Sequence, residues 1–311
     1  MKKINNKILL VIVLIFIGIL MTYKYYQSPK LESNFESLLL SLDTARITKV
    51  LINPAADTNS LVKLERKNDT WVLVGGNKEY EVDLLYVKRC LEAFNFLEAE
   101  KLVTRSKAKW NTYNVADSST EVSAYSGNEL LVKMYVGNIG FNKDASGQYH
   151  GDIFSYVRLD GMEEVYSVKG FLSPNFNKKI FEWRDKTFMR FETNAVTQVN
   201  FDYPGDSSFI LVKKDTTWWV NGRKADFSKV DDYLFLLGNK DIYMISDTAS
   251  ISDNLLYNVS FLGDTVEFGR IEAWRNETGW NLKSSTREEP YFSITNDEND
   301  IIVGAGYFLP I

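Results

Sequence analysis

An unbroken apolar run sets the N-terminus apart from the rest of the chain. Residues 8–21 contain no polar side chain; Lys2, Lys3 and Lys7 precede the run, and three tyrosines follow it. A basic flank, an apolar helix and an aromatic belt are typical of a membrane anchor. Because a helix rises about 1.5 Å per residue, residues 8–26 approach the roughly 30 Å thickness of a bilayer core. We predict that these residues cross the bilayer.

A cleaved secretory signal is the alternative interpretation of the same run. Its strictly apolar part has 14 residues, which is also a typical length for the centre of a signal peptide. However, bulky tyrosines follow where a signal peptidase needs small side chains, so we favour an uncleaved signal-anchor. The preceding lysines predict a cytoplasmic N-terminus and a single-pass inner-membrane protein whose bulk is extracytoplasmic, in the periplasm of a cell with two membranes.

The remaining chain carries one strand and hairpin pattern twice. The alternating segment 47–50 returns 149 positions later as residues 196–199. A polar hairpin tip followed by tryptophan also recurs, with Trp71 opening the return strand in the first copy and Trp218 in the second. Self-similarity of this kind predicts an internal duplication.

An amphipathic helix follows the hairpin in each copy. Asp83 and Asp226 stand 143 positions apart, and each is followed by four apolar residues at helical spacing. Each aspartate is placed to accept the free backbone N–H groups of the first helical turn, which contributes about 1 kcal/mol. Cys90 lies beside the apolar stripe, so we interpret it as a core residue and not as a nucleophile.

Strand-like segments fill the second half of each copy. We expect a glycine-rich turn at residues 137–151 and match Tyr113-Asn114-Val115 with Tyr257-Asn258-Val259. A short helical turn is expected at residues 171–176. The predicted strands are 121–124, 130–136, 153–159 and 165–168 in the first copy, and 265–274, 280–283, 291–294 and 301–303 in the second.

These elements predict an α+β protein in four parts. Residues 1–30 form the cytoplasmic tip and transmembrane helix. Residues 31–179 and 196–311 form two tandem antiparallel β-rich units, each with one main amphipathic helix. Between them, residues 180–195 are too aromatic for a free linker, so we expect this connector to pack on one or both units.

Charge and composition exclude several classes of function. Five of the 36 Lys and Arg residues and none of the 41 acidic residues precede residue 31, which leaves a net charge of −10 on the rest of the chain. An acidic ectodomain does not attract nucleic acid. One cysteine and one histidine, His150, exclude Cys-rich and His-rich metal centres. We therefore predict no catalytic, cofactor-binding or metal-binding residue.

Three side chains are candidates for contact with a partner or ligand. Trp219 follows Trp218 in a strand and must point to the opposite face, where it either covers the sheet or offers a platform for a ligand. Trp183 and Arg184 lie in the connector. Arg184 and Asp185 are also candidates for an ion pair between the units.

The order of these motifs resembles the bacterial family of unknown function DUF4340. The residues that carry the resemblance are Trp71–Leu73, Asp83, Tyr113–Val115, Tyr156–Arg158, Val165–Val168 and Trp183–Lys186. The family usually has Gly-Leu where this chain has Asn114-Val115. The resemblance implies a protein held by one N-terminal helix and encoded beside gliding-motility-type ABC transporter components. It implies no catalytic residue.

Together these features predict a non-enzymatic envelope protein whose duplicated ectodomain binds a partner. The bilayer itself would be contacted through residues 8–26. The resemblance adds ABC transporter subunits as expected protein partners. Two other classes stay open: an envelope hydrolase that uses carboxylates from both copies, and a surface module that binds sugar or peptide through aromatics such as Trp219.

Overall fold

The computed structural model describes residues 15–19, 21–22, 37–143, 149–247, 257–287 and 290–310. Residues 15–19, 21 and 22 are helical, with exposed side chains. The other residues of the predicted anchor, 8–14, 20 and 23–26, lie outside the described residues. Of the helices in the described ranges, none has the length and apolar character needed to cross a membrane.

The described residues form two compact units. Unit 1 comprises Met1–Thr70 and Tyr86–Lys179, and unit 2 comprises Trp71–Leu85 and Ile180–Ile311. Both are β-rich with few helices, as the predicted α+β class requires. The first ten strands are β1 (Leu38–Leu40), β2 (Lys49–Asn53), β3 (Val62–Lys67), β4 (Thr70–Gly75), β5 (Lys78–Glu81), β6 (Leu97–Thr104), β7 (Thr120–Ser126), β8 (Glu129–Lys143), β9 (Tyr149–Leu159) and β10 (Val165–Lys169).

From residue 37 onward, the described residues form nine further strands, four α-helices and several short 3₁₀ turns. The helices are α1 (Leu84–Asn95), α2 (Trp110–Tyr113), α3 (Leu172–Phe176) and α4 (Phe227–Gly238). The strands are β11 (Gln198–Asp202), β12 (Phe209–Lys214), β13 (Thr217–Val220), β14 (Arg223–Lys224), β15 (Met244–Ser246), β16 (Tyr257–Leu262), β17 (Glu267–Arg275), β18 (Gly279–Ser284) and β19 (Tyr291–Thr295).

The two antiparallel sheets share one strand order. In unit 1 the strands run β1-β6-β10-β9-β8-β7-β2-β3, and in unit 2 they run β14-β13-β12-β11-β16-β17-β18-β19-β15. The sequence β3-β2-β7-β8-β9-β10-β6 therefore matches β12-β11-β16-β17-β18-β19-β15 strand for strand. Hairpin β4–β5 follows β3 in the chain, as hairpin β13–β14 follows β12.

The pairing registers of the central strands β2 and β11 also agree. Both strands alternate partly buried and buried residues in the same pattern, so each turns the same positions inward. The matched pairs are Val50 with Leu64 and Ala124, and Val199 with Leu211 and Phe261.

The helices α1 and α4 begin where the sequence predicts. A carboxylate oxygen of Asp83 accepts the Leu85 N–H at 2.9 Å, and one of Asp226 accepts the Ser228 N–H at 3.0 Å. Cys90 on α1 is fully buried, and this burial raises the pKa of its thiol. The cysteine is therefore a core residue, as predicted, since a thiol kept protonated is a poor nucleophile.

The backbone N–H of each capping aspartate is bound by a 3₁₀ turn. The Asp83 N–H donates to the Trp183 carbonyl at 2.9 Å, and the Asp226 N–H donates to the Phe308 carbonyl at 2.8 Å. Trp183 and Phe308 end the equivalent turns Ile180–Trp183 and Ala305–Phe308, and both rings are fully buried. The first turn of the predicted connector thus has the same structural role as the last turn of the chain.

Unit 2 has an aromatic core between its sheet and α4. The rings of Phe201 and Phe209 are stacked with their centroids 4.1 Å apart. The rings of Tyr233 and Phe308 pack edge to face with their centroids 5.2 Å apart. The buried hydroxyl of Tyr233 donates to the Ile301 carbonyl at 2.8 Å. Burial raises the pKa of this phenol well above its usual value, so it remains a donor.

The predicted glycine-rich turn at residues 137–151 is wrong. Strand β8 continues to Lys143, and β9 already begins at Tyr149. The glycines serve close packing instead: a Cβ on Gly137 would lie 2.1 Å from the Tyr113 carbonyl oxygen, and one on Gly140 would lie 2.1 Å from the Phe154 ring. A glycine needed for close approach looks the same in sequence as a turn glycine.

Two other details of the predicted repeat are wrong. Tyr113 ends α2 and Asn114 is left-handed with φ 55°, whereas Tyr257 begins β16. The register of the sheets instead matches β7 with β16. Residues 301–303 form no strand, although Ile301 is buried and accepts the Tyr233 hydroxyl. The predicted helical turn at 171–176 is confirmed by α3.

The aspartate cap gives a direct test of this fold. Asp226→Ala removes an acceptor from the first turn of α4 and should lower the free energy of unfolding by about 1 kcal/mol. Urea denaturation followed by circular dichroism measures the change. Asp231→Ala, at an exposed position on the same helix, is the control and should stay within about 0.5 kcal/mol of the parent chain. Equal effects from both substitutions would contradict the cap.

Candidate functional site

The guanidinium of Arg158 is clamped in unit 1 between two aromatic rings. Its carbon lies 3.7 Å from the ring centroid of Trp110 and 3.9 Å from that of Tyr135. Nε donates to the Val115 carbonyl, and Nη2 pairs with Asp117, each at 2.8 Å. The side chain is 3% exposed, so the rings and these two acceptors replace the water that the cation loses.

Local backbone geometry brings the clamp together. The left-handed Asn114 ends α2 and turns the chain, so that the Val115 carbonyl faces Arg158 on β9. Gly137 on β8 allows this turn to approach the sheet. Two of the segments that carry the family resemblance, Tyr113–Val115 and Tyr156–Arg158, therefore meet at one guanidinium.

An ionic cleft of about 340 Å³ lies in unit 2. It contains Arg184, whose guanidinium lies 4.2 Å from the ring centroid of Tyr80 and pairs with Asp247 at 2.7 Å. The remaining lining residues of the cleft are Glu79, Glu81, Asp185, Thr286, Arg287 and Pro290.

Arg287 holds the other side of the ionic cleft. Its guanidinium pairs with Glu81, lies 3.3 Å from Asp185, and donates to the Thr187 carbonyl at 2.6 Å. Its side chain is 10% exposed, while the Glu81 carboxylate is 70% exposed. The arginine side chain is therefore buried, and its pairs link hairpin β4–β5 to the segment after Trp183.

Lys186 stabilises the turn beneath this cleft. Its ammonium group donates to the carbonyls of Glu182 at 2.8 Å and Arg184 at 2.6 Å. The positive charge is thus directed at backbone oxygens, and the residue is 9% exposed. Segment 183–186 is thus held in place by the buried Trp183 ring and the Lys186 hydrogen bonds. The side chains of Arg184 and Asp185 line the cleft.

The predicted contact residues occupy different environments. Trp183 is fully buried and offers no surface to a partner, Arg184 is 8% exposed and reaches the ionic cleft, and Trp219 is partly buried on β13. Of these three residues, Arg184 alone lines the ionic cleft. The two charged residues of the predicted ion pair, Arg184 and Asp185, have their partners Asp247 and Arg287 within unit 2.

Sequence reasoning missed Tyr80, Glu81, Asp247 and Arg287. No local signal marks them, because Glu81 and Arg287 stand 206 positions apart. The backbone of His150 lies in β9, but its side chain is outside the described residues. Across the described ranges, no group of three or more His, Cys, Asp or Glu side chains is placed to hold a metal ion.

A comparison with models of protein families identifies the family of this chain. The model of the family described as a domain of unknown function, DUF4340, matches residues 71–253, more than half of the chain. The chain belongs to this family. The matched range includes the residues around Arg158. It also includes Trp183–Lys186, one of the segments on which the resemblance was based. Neither a curated protein nor a solved structure gives a match.

The clamp predicts a large difference between two substitutions. Arg158→Ala removes the ring contacts and the donor to Val115, and should lower the free energy of unfolding by about 3 kcal/mol. Asp117→Asn should cost less than about 1 kcal/mol because the carboxylate is 75% exposed. Urea denaturation followed by tryptophan fluorescence compares them. If Asp117→Asn proves as damaging as Arg158→Ala, the ion pair and not the aromatic clamp stabilises the site.

Proposed function

We propose that this chain is a non-enzymatic, membrane-anchored envelope protein whose duplicated ectodomain binds a protein partner. The partner is an ABC-type transport or gliding-motility-like system, for which the chain acts as an accessory. The observation that carries the partner-binding proposal is the ionic cleft of unit 2, where guanidinium groups and carboxylates line one opening. Such a mixed charge pattern selects a partner by complementary charge and suppresses wrong ones.

A tandem duplication is part of the proposal. Its support is the shared order of seven strands and the matched registers of β2 and β11. The equivalent turns that end at Trp183 and Phe308 add a third correspondence. Under this proposal the first copy extends to the turn Ile180–Trp183, and its helices α2 and α3 lie outside the seven matched strands.

Membrane anchoring rests on the sequence. Lysines precede the apolar run, tyrosines follow it, and the length of residues 8–26 suits one crossing with the N-terminus in the cytoplasm. The described part of this run is helical and presents exposed apolar side chains such as Ile15, Phe16 and Met21.

Site-specific photo-crosslinking tests the partner. A photoreactive amino acid placed at the exposed Glu79, on the rim of the ionic cleft, should crosslink a subunit of an ABC-type transporter in intact cells. The same amino acid at Asp264, an exposed position outside the cleft lining, is the matched control. Capture of transporter subunits from Glu79 but not from Asp264 supports the proposal. No transporter subunit from Glu79, or equal capture from both positions, refutes it.

Cysteine labelling tests the orientation. Lys224→Cys adds a thiol at an exposed position on β14. A membrane-impermeant maleimide should label it once any outer barrier is opened, while the inner membrane stays intact. The parent chain is the control, since Cys90 is fully buried and its thiol is protonated. If labelling requires lysis of the inner membrane, residue 224 lies in the cytoplasm and the predicted orientation is wrong.

A further inference from the structure

An aromatic cleft of about 220 Å³ lies in unit 1, on the face of β6, β9 and β10 next to α2. We call it the edge cleft. Three rings line it, those of Tyr113, Phe154 and Tyr156, and the exposed Glu100 and Lys101 stand at its rim. The edge cleft is distinct from the ionic cleft of unit 2 and from the predicted partner contacts.

A buried hydroxyl without a partner also lines the edge cleft. Ser167 on β10 is 3% exposed, and among the described residues its Oγ has no hydrogen-bond partner. In the sheet it lies between Lys101 on β6 and Tyr156 on β9. A buried polar atom left unpaired costs about 1–3 kcal/mol, so the cleft favours an occupant with a polar atom at this point.

The second sheet shows the same row of residues with the serine satisfied. Ser293 lies between Met244 and Asn281 in the matched register. Its hydroxyl donates to Asn281 Oδ1 at 2.9 Å. Tyrosine at position 156 therefore replaces the amide that would bind the serine, and adds an aromatic wall in its place.

The three rings form a continuous aromatic surface. The centroids of Tyr113 and Tyr156 are 4.7 Å apart, and those of Phe154 and Tyr156 are 5.4 Å apart with the rings perpendicular. Burial, and next the neighbouring Tyr113, raise the pKa of the Tyr156 phenol. Its hydroxyl thus stays protonated at neutral pH and can donate to a ligand.

We propose that the edge cleft binds one saccharide unit. A sugar ring presents apolar C–H faces, which pack on aromatic rings, and hydroxyl groups around its edge, which reach Ser167, Tyr156, Glu100 and Lys101. An aliphatic peptide side chain would pack on the rings but would leave the Ser167 hydroxyl buried without a hydrogen-bond partner. This ligand site lies outside the proposed protein-binding function and does not depend on it.

Titration of the full chain with simple sugars tests the proposal. The protein is held in a detergent without a glycoside headgroup, and N-acetylglucosamine, glucose and galactose are added singly in saturation-transfer NMR and calorimetry. At least one sugar should bind with a millimolar Kd. Ser167→Ala should weaken binding about fivefold to tenfold through loss of one hydrogen bond.

Tyr156→Asn is the sharper variant because it copies the second sheet. It should supply Ser167 with an amide, remove the aromatic wall and abolish sugar binding, while circular dichroism and thermal unfolding show a folded chain. Ser293→Ala removes a hydroxyl that is already used internally, so it is the matched control and should leave binding unchanged.

Three results would overturn the saccharide site. The first is that none of the three sugars binds at millimolar concentration. The second is that a sugar binds but Ser167→Ala and Tyr156→Asn leave its affinity unchanged. The third is that a tyrosine-containing tripeptide binds the edge cleft and the sugars do not, which would make it a peptide site. None of these results bears on the crosslinks from Glu79, so the two proposals fail separately.

Discussion

The register of one strand with its two neighbours is the constraint on which each sheet depends. A slip of one residue would move every inward side chain of β2 or β11 to the other face. Val50 and Val199 occupy the same place in this pairing and are almost completely buried. One face of each sheet is thereby buried in the core, where α4 covers it in unit 2. In unit 1 the other face carries Arg158 and the aromatic rings of the edge cleft.

Arginine is used differently in the two units. In unit 1 the Arg158 cation is enclosed by Trp110 and Tyr135, and its salt-bridge partner Asp117 is 75% exposed. In unit 2 Arg287 ties separate chain segments together through Glu81 and Asp185. In the first arrangement the cation is packed between two rings. The second keeps the Glu81 side chain largely exposed to solvent.

Sequence patterns could predict what depends on local spacing. The Asp83 and Asp226 caps and the burial of Cys90 follow from the helical spacing of the apolar residues. The ionic cleft could not be predicted, because Glu81 and Arg287 meet only through the fold. Gly137 misled the prediction for a physical reason: a missing side chain permits either a turn or a close approach, and the sequence does not say which.

The carbonyl of Trp183 has a consequence for how the protein can be divided into fragments. Residue 179 looks like a natural end for a fragment that holds β1–β10 and α1, but the amide of Asp83 is bound by a carbonyl beyond that point. A fragment that stops there would lose the acceptor behind its helix cap together with a fully buried indole. A fragment that contains α1 should therefore extend through Lys186, whose ammonium group donates to carbonyls of the turn that ends at Trp183 and of Arg184.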